Sequence, residues 1–210
     1  MTPSFYKEIL ADIDWRYSEL SVLRTLPFRY KLSTDHHQFL IKYSVPVIYS
    51  IWEGYVKSVF EIYVRELNNL NIESDKINYR LLAHAIDSDS KLTLQNSRIH
   101  FKTKTEFTES LMSFLSQRIE IPNKTPTNSN INFEVLNDIL ERFNLEPLPI
   151  KNFKTPLNKL LRFRNSVSHG DNSIPVTAKD IEKFCELVND LMSEVCERIE
   201  KGFETKTFLA

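Results

Sequence analysis

Three polar residues near the end of one apolar-striped segment could do chemistry together: Arg164, Asn165 and His169. A guanidinium offers phosphate a planar fork of donors. An imidazole exchanges protons near neutral pH. The amide between them can donate or accept a hydrogen bond. At about 100° per residue, Leu157, Leu160, Leu161 and Val167 define the buried stripe of segment 152–169, and Arg164 falls in its middle. A guanidinium aimed at a core is costly unless a carboxylate, a carbonyl or a ligand phosphate receives it. Arg164 is therefore either a buried structural cation or a ligand-gripping group in a cleft. Gly170 suits the left-handed position just past a helix end, which puts His169 at the terminus, where backbone carbonyls favour imidazolium. A regular helix would aim His169 about 140° away from Arg164; termination at Gly170 lets the ring swing. Spacing alone carries little weight. With eleven Arg and five His in 210 residues, an Arg-x4-His pair arises by chance about one time in four.

The elements that must hold these residues read as helices. Phe5, Ile9, Ile13 and Leu20 form the inward stripe of a helix over 4–24. A longer helix spans 35–70, with Ile48, Ile51, Trp52, Tyr55, Val56, Val59, Phe60, Ile62, Tyr63 and Leu67 inward and Lys57, Glu61 and Arg65 outward. Pro46 should kink or restart it. The middle of the chain gives a short helix over 81–87, a small hairpin over 93–101, a helix over 108–119 and a polar loop over 122–130. A helix over 133–143 and a proline-containing link follow. The motif helix runs from 152 to Gly170, and a last clean stripe covers 178–201. The expected architecture is one all-α domain over 1–210, a bundle with an insertion at about 75–150 between its second and penultimate helices. Only Gly54, Gly170 and Gly202 occur, which argues against a turn-rich sheet protein and a glycine-rich phosphate loop.

Composition narrows the classes further. A net charge of −1 does not suggest binding nucleic acid by bulk charge, so such chemistry must come from a local site. Cys185 and Cys196 lie eleven residues apart on one helix, roughly 16 Å along its axis, too far for a disulfide within the chain. Both read as buried small hydrophobes. The N-terminus has no signal-peptide apolar region, and no stretch of 18 uncharged apolar residues occurs, so no membrane span and a cytoplasmic setting are expected. Glu53, at the edge of the second helix's stripe, could orient His169 or pair with Arg164; the plainer reading is a Glu53–Lys57 pair one turn apart. The adjacent His36 and His37 cannot share a helix face, and no metal site is expected there. His84 and His100 are isolated. Trp15, Trp52 and the tyrosines at 49, 55 and 63 are expected to pack the core.

Three stretches carry a resemblance to a known family. Residues 160–170, LLRFRNSVSHG, are similar to the signature of HEPN ribonucleases: Arg, a polar residue that is often Asn, three variable residues, then His. Residues 48–57, IYSIWEGYVK, and 129–145, SNINFEVLNDILERFNL, resemble the stand-alone bacterial MAE-type HEPN family. The resemblance implies a helical bundle, a homodimer with a composite active site, and RNA cleavage needing neither metal nor cofactor. It assigns catalysis to Arg164 and His169, with Asn165 and Glu53 in support. Such cleavage uses the neighbouring 2′-hydroxyl and leaves 2′,3′-cyclic phosphate and 5′-hydroxyl ends; it needs a proton acceptor, a proton donor and a cation. One protomer supplies one motif His, and a twofold pair supplies two. Relatives of this type suggest toxin or phage-defence biology, with an antitoxin or defence partner. Many HEPN proteins carry Tyr two residues after the His, where this chain has Asp171. Some members are non-catalytic, so the alternative is a silent HEPN dimerisation or RNA-binding module.

Overall fold

Few glycines and a broad apolar stripe favour one long uninterrupted helix, and α2 (Thr34–Asn69) is that helix. Its stripe is wide because three neighbours share it: α1 (Ser4–Arg29), α6 (Ile150–Ser168) and α7 (Ala178–Glu204) all pack against it. The computed structural model describes residues 4–88, 101–123, 130–171 and 174–210. Among these the regular structure is helical, with seven α-helices and no strand, the all-α bundle expected. Three further helices, α3 (Tyr79–Ser88), α4 (Phe101–Leu115) and α5 (Phe133–Arg142), lie between α2 and α6 in the chain. Trp52, Tyr55, Val56, Val59 and Phe60 have no solvent exposure, and each such side chain contributes on the order of 1.5–3 kcal/mol by burial. No helix among the described residues is long and apolar enough to cross a membrane.

Several boundaries differ from expectation for identifiable reasons. The first helix continues through Pro27 to Arg29. Pro46 removes one amide from the α2 ladder, yet the helix continues through it, because the flanking Val45 and Ile48 are locked into the core. The helix expected over 108–119 ends at Leu115 and begins at Phe101. Ile119 and Ile121 are both buried at a spacing of two, and Asn68 fixes the segment by exchanging hydrogen bonds with the Ile121 amide and carbonyl at 2.8 and 3.0 Å. That stretch follows an extended period, not a helical one. The expected hairpin lies outside the described residues apart from Phe101, which opens α4.

The stripe of α1 contains an arginine. Arg16 sits between Ile13 and Leu20 in helical phase and is only 6% exposed. Its guanidinium donates to Asp12 Oδ2 at 2.8 Å and to the Ile51 carbonyl of α2 at 2.9 Å. Gly54 makes room for it, since a Cβ there would lie 3.0 Å from Arg16 Nη1. Trp15 is 46% exposed, not a core residue; its ring lies under the Arg16 guanidinium and its indole N–H bonds Asp12.

Cross-links set the directions of the helices. Arg16 meets Ile51 and Arg65 pairs with Glu8, so α1 is antiparallel to α2. The Tyr55 hydroxyl donates to the Met192 carbonyl, and Tyr63 lies beside Gly202, so α7 runs with α2. Arg198 holds the Glu146 carbonyl just before α6, while Lys159 pairs with Asp180 near the start of α7, so α6 opposes α7. The C-terminal ends of α1 and α6 therefore share one end of the bundle with the N-terminal ends of α2 and α7.

Candidate functional site

The end of α6 is built by its sequence. The Gly170 amide bonds the Val167 carbonyl at 3.1 Å and the Asp171 amide bonds the Ser166 carbonyl at 2.9 Å. With Gly170 at φ +74°, these form a Schellman closure. His169 is the C-cap residue, at φ −88° and ψ 5°, and its side chain is exposed. Those dihedrals are close to helical, so the ring keeps roughly the helical phase, about 140° from Arg164. The swing expected from termination begins only one residue later. The carbonyls of Asn165, Ser166 and Val167 are already bonded by the amides of 169–171.

Arg164 is on the inward face as its phase requires, but it is half-buried, not sealed in the core. Phe163 instead enters the core beside it and meets the Phe184 ring of α7 edge-on, with centroids 5.4 Å apart. The Arg164 guanidinium lies over the Tyr49 ring of α2, Cζ 4.7 Å from its centroid. Its Nη1 donates to Asn165 Oδ1 at 2.8 Å and to Asn130 Oδ1 at 3.2 Å. The amide oxygens of Asn130 and Asn165 and the face of the Tyr49 ring thus all hold the guanidinium.

The segment before α5 completes that frame. The Ile131 amide donates to the Tyr49 hydroxyl at 2.6 Å, and the Phe133 amide donates to Asn158 Oδ1 of α6 at 3.1 Å. Asn132 caps α5 by accepting from the Val135 amide. Residues 130–133 therefore bridge α2 and α6 beside Arg164. Burial above all pushes the Tyr49 hydroxyl up to about 12; the Ile131 amide acts against this, the Glu53 carboxylate adds to it, and Arg164 opposes it. Tyr49 stays protonated at neutral pH and serves as a neutral platform.

Of the residues expected from sequence, Arg164 and Asn165 come together. His169 stands at the same helix end on another side. Glu53 takes the plainer role, accepting from Lys57 Nζ at 2.6 Å, although its charge is felt at Tyr49. Tyr49, expected to pack the core, does so and also receives the guanidinium on its ring face, and Asn130 joins it from the approach to α5; both lie within the stretches that carry the family resemblance, and those two stretches meet the motif here. His84 is a core residue, its Nε2 3.3 Å from the Pro122 carbonyl and its ring against Phe143. Burial pushes the thiols of Cys185 and Cys196 up to about 11, as suits buried small hydrophobes.

Comparison with known proteins places the chain. A family model described as HEPN_MAE_28990/-like HEPN matches residues 5–208, and the chain belongs to that HEPN family. No curated protein and no solved structure matches it significantly.

Proposed function

We propose that this protein is a metal-independent HEPN endoribonuclease that works as a homodimer and leaves 2′,3′-cyclic phosphate and 5′-hydroxyl ends. The observation that supports this most is the framing of Arg164 by Tyr49, Asn130 and Asn165 next to an exposed His169 at the end of the same helix. In this reading Arg164 binds the scissile phosphate and stabilises its added negative charge. Two His169 side chains, one from each protomer, divide the roles of base at the 2′-hydroxyl and acid at the 5′-oxygen. Asn165 holds the guanidinium plane. Family membership supports a nuclease or an RNA-binding module; toxin or phage-defence biology, an antitoxin or defence partner and a cytoplasmic setting are part of the proposal.

The test is incubation of the purified protein with mixed RNA in EDTA, with end analysis of the products. Cyclic phosphate ends that disappear with His169→Ala are expected. Strict dependence on added Mg²⁺ would overturn the metal-free mechanism. A second reading, the silent HEPN module, draws on the same frame, because three neighbours also suit Arg164 to a structural role. Absence of cleavage by a folded dimer would favour it.

A further inference from the structure

We propose that the bundle end built by the α1–α2 connection is a docking surface for single-stranded RNA, at the same end of the bundle as Arg164 and His169. Residues 24–43 carry Arg24, Arg29, Lys31 and Lys42 against one acid, Asp35, a local charge of +3 in a chain of net −1. The same stretch exposes four aromatic rings: Phe28 at 78%, Tyr30 at 60%, Phe39 at 64% and Tyr43 at 43%. Phe39 and Tyr43 lie side by side with centroids 4.4 Å apart, and Lys42 Nζ sits 5.6 Å from the Tyr43 centroid. Rings alternating with cations match the chemistry of an unpaired strand, whose bases stack and whose phosphates attract positive charge.

One cavity gives this surface a defined starting point. Arg24, Pro27 and Phe28 of α1, Ile41 of α2, and Lys179 and Ile181 of α7 line a slot between the three helix ends. Its floor is apolar, the Phe28 ring stands at its rim, and Arg24 and Lys179 flank it; Glu182 also borders it. A nucleobase suits the apolar floor and ring, and its flanking phosphates suit the two cations. Helix directions put this slot at the same end of the bundle as Arg164 and His169. Charge complementarity decides between occupants. Protein interfaces deplete lysine at their centres, whereas here Lys31, Lys42 and Lys179 are interleaved with the exposed rings.

The choice of RNA as ligand rests on the ribonuclease reading, so binding is measured apart from cleavage. The probe is a fluorescein-labelled, 20-nucleotide, mixed-sequence single-stranded RNA. Its anisotropy is followed across a salt series with the full chain carrying His169→Ala. In that background Phe28→Ala should weaken binding roughly tenfold, from the loss of one stacked base. Arg24→Ala with Lys179→Ala should lower the slope of log K against log salt by roughly 1.4, about 0.7 per cation. All three side chains are exposed, and circular dichroism should show unchanged folding. Unchanged affinity and slope in folded variants would overturn the proposal. So would a Phe28→Ala variant that shifts a dimer to monomer in sedimentation while RNA affinity holds, which would make this face a protein interface. If the wild type fails to cleave but the variants weaken binding as expected, the docking surface stands and the ribonuclease reading falls.

Discussion

Replacing Arg164 separates grip from scaffold. Its contacts include two hydrogen bonds from one charged nitrogen to amide oxygens, the one to Asn130 exposed and the one to Asn165 part-buried, and a cation–π contact with Tyr49. Solvent screening discounts each, and Arg164→Ala should cost about 1–3 kcal/mol of stability. For a chain of 210 residues that is roughly 2–12 °C in Tm. Loss of the cation facing a developing phosphate charge should cost about 10²–10³ in the cleavage step. Arg164→Lys restores charge and part of the stem contact with Tyr49, but a single ammonium cannot reproduce a fork fixed between Asn130 and Asn165. The lysine variant should regain most of the lost stability and little of the activity. The assay is single-turnover cleavage of a labelled RNA at saturating enzyme, well below the Tm of each variant. A lysine variant cleaving within threefold of wild type would refute the fork argument. An alanine variant whose lost activity returns when folding is restored by cooling would make Arg164 a scaffold residue.

His169→Ala should abolish cleavage and shift Tm by under about 2 °C, because the ring is exposed and the Gly170 and Asp171 amides that close the helix bond backbone carbonyls; full activity would remove His169 from the mechanism. Mixed dimers of wild type with His169→Ala, purified by dual tags, should lose far more than half the activity, and retention of about half would show independent protomers. Gly54→Ala should lower Tm by roughly 2–4 °C, since a Cβ 3.0 Å from the pinned Arg16 Nη1 outweighs the gain in helix propensity; a rise in Tm would count against that contact. Burial lowers the His84 pKa below its unfolded value near 6.5, so the unfolded chain binds the extra proton as pH falls. The His84 contribution is full above that value and is lost as pH drops through the folded pKa. Urea midpoints taken at pH 7.5 and 5.5 should therefore fall more for wild type than for His84→Gln, and equal falls would contradict the account.

Helical phase made the bundle legible, because its apolar stripes repeat without interruption over whole elements. The four stripe residues expected on the first helix and the ten on the second are all buried. Phase was less informative about how far a stripe residue is sealed. Arg16 and Arg164 both fall on inward faces, where a cation aimed at a core needs a partner. Arg16 answers to it more fully: it lies mid-helix with α2 against it, while Arg164 lies in the last turn, where the bundle opens. The Phe5-Ile9-Ile13-Arg16-Leu20 series held that signal. Tyr49 and Asn130 were not readable as site residues from periodicity, since one looks like any core aromatic and the other like any loop amide. Their roles depend on a non-local meeting of α2, α6 and the α5 approach. The Ile119-Ile121 stretch misled for the opposite reason: its contacts with Asn68 override local helical preference.

The separation of Arg164 and His169 bears on why a second copy is needed in the proposed mechanism. Schellman closure keeps His169 near helical phase, so the ring leaves α6 about 140° from the guanidinium. One protomer then has its phosphate grip directed toward Tyr49 and its proton-transfer group directed to solvent. Turning that ring further toward Arg164 would unwind the last turn, at the loss of the Gly170 and Asp171 amide bonds. A twofold neighbour avoids that loss. Its own His169, equally exposed, can enter the space in front of Arg164 while each helix end stays closed. In the proposed dimer the closed helix ends hold the two Arg164 side chains in place, and the twofold axis brings one His169 from each protomer, one as acid and one as base.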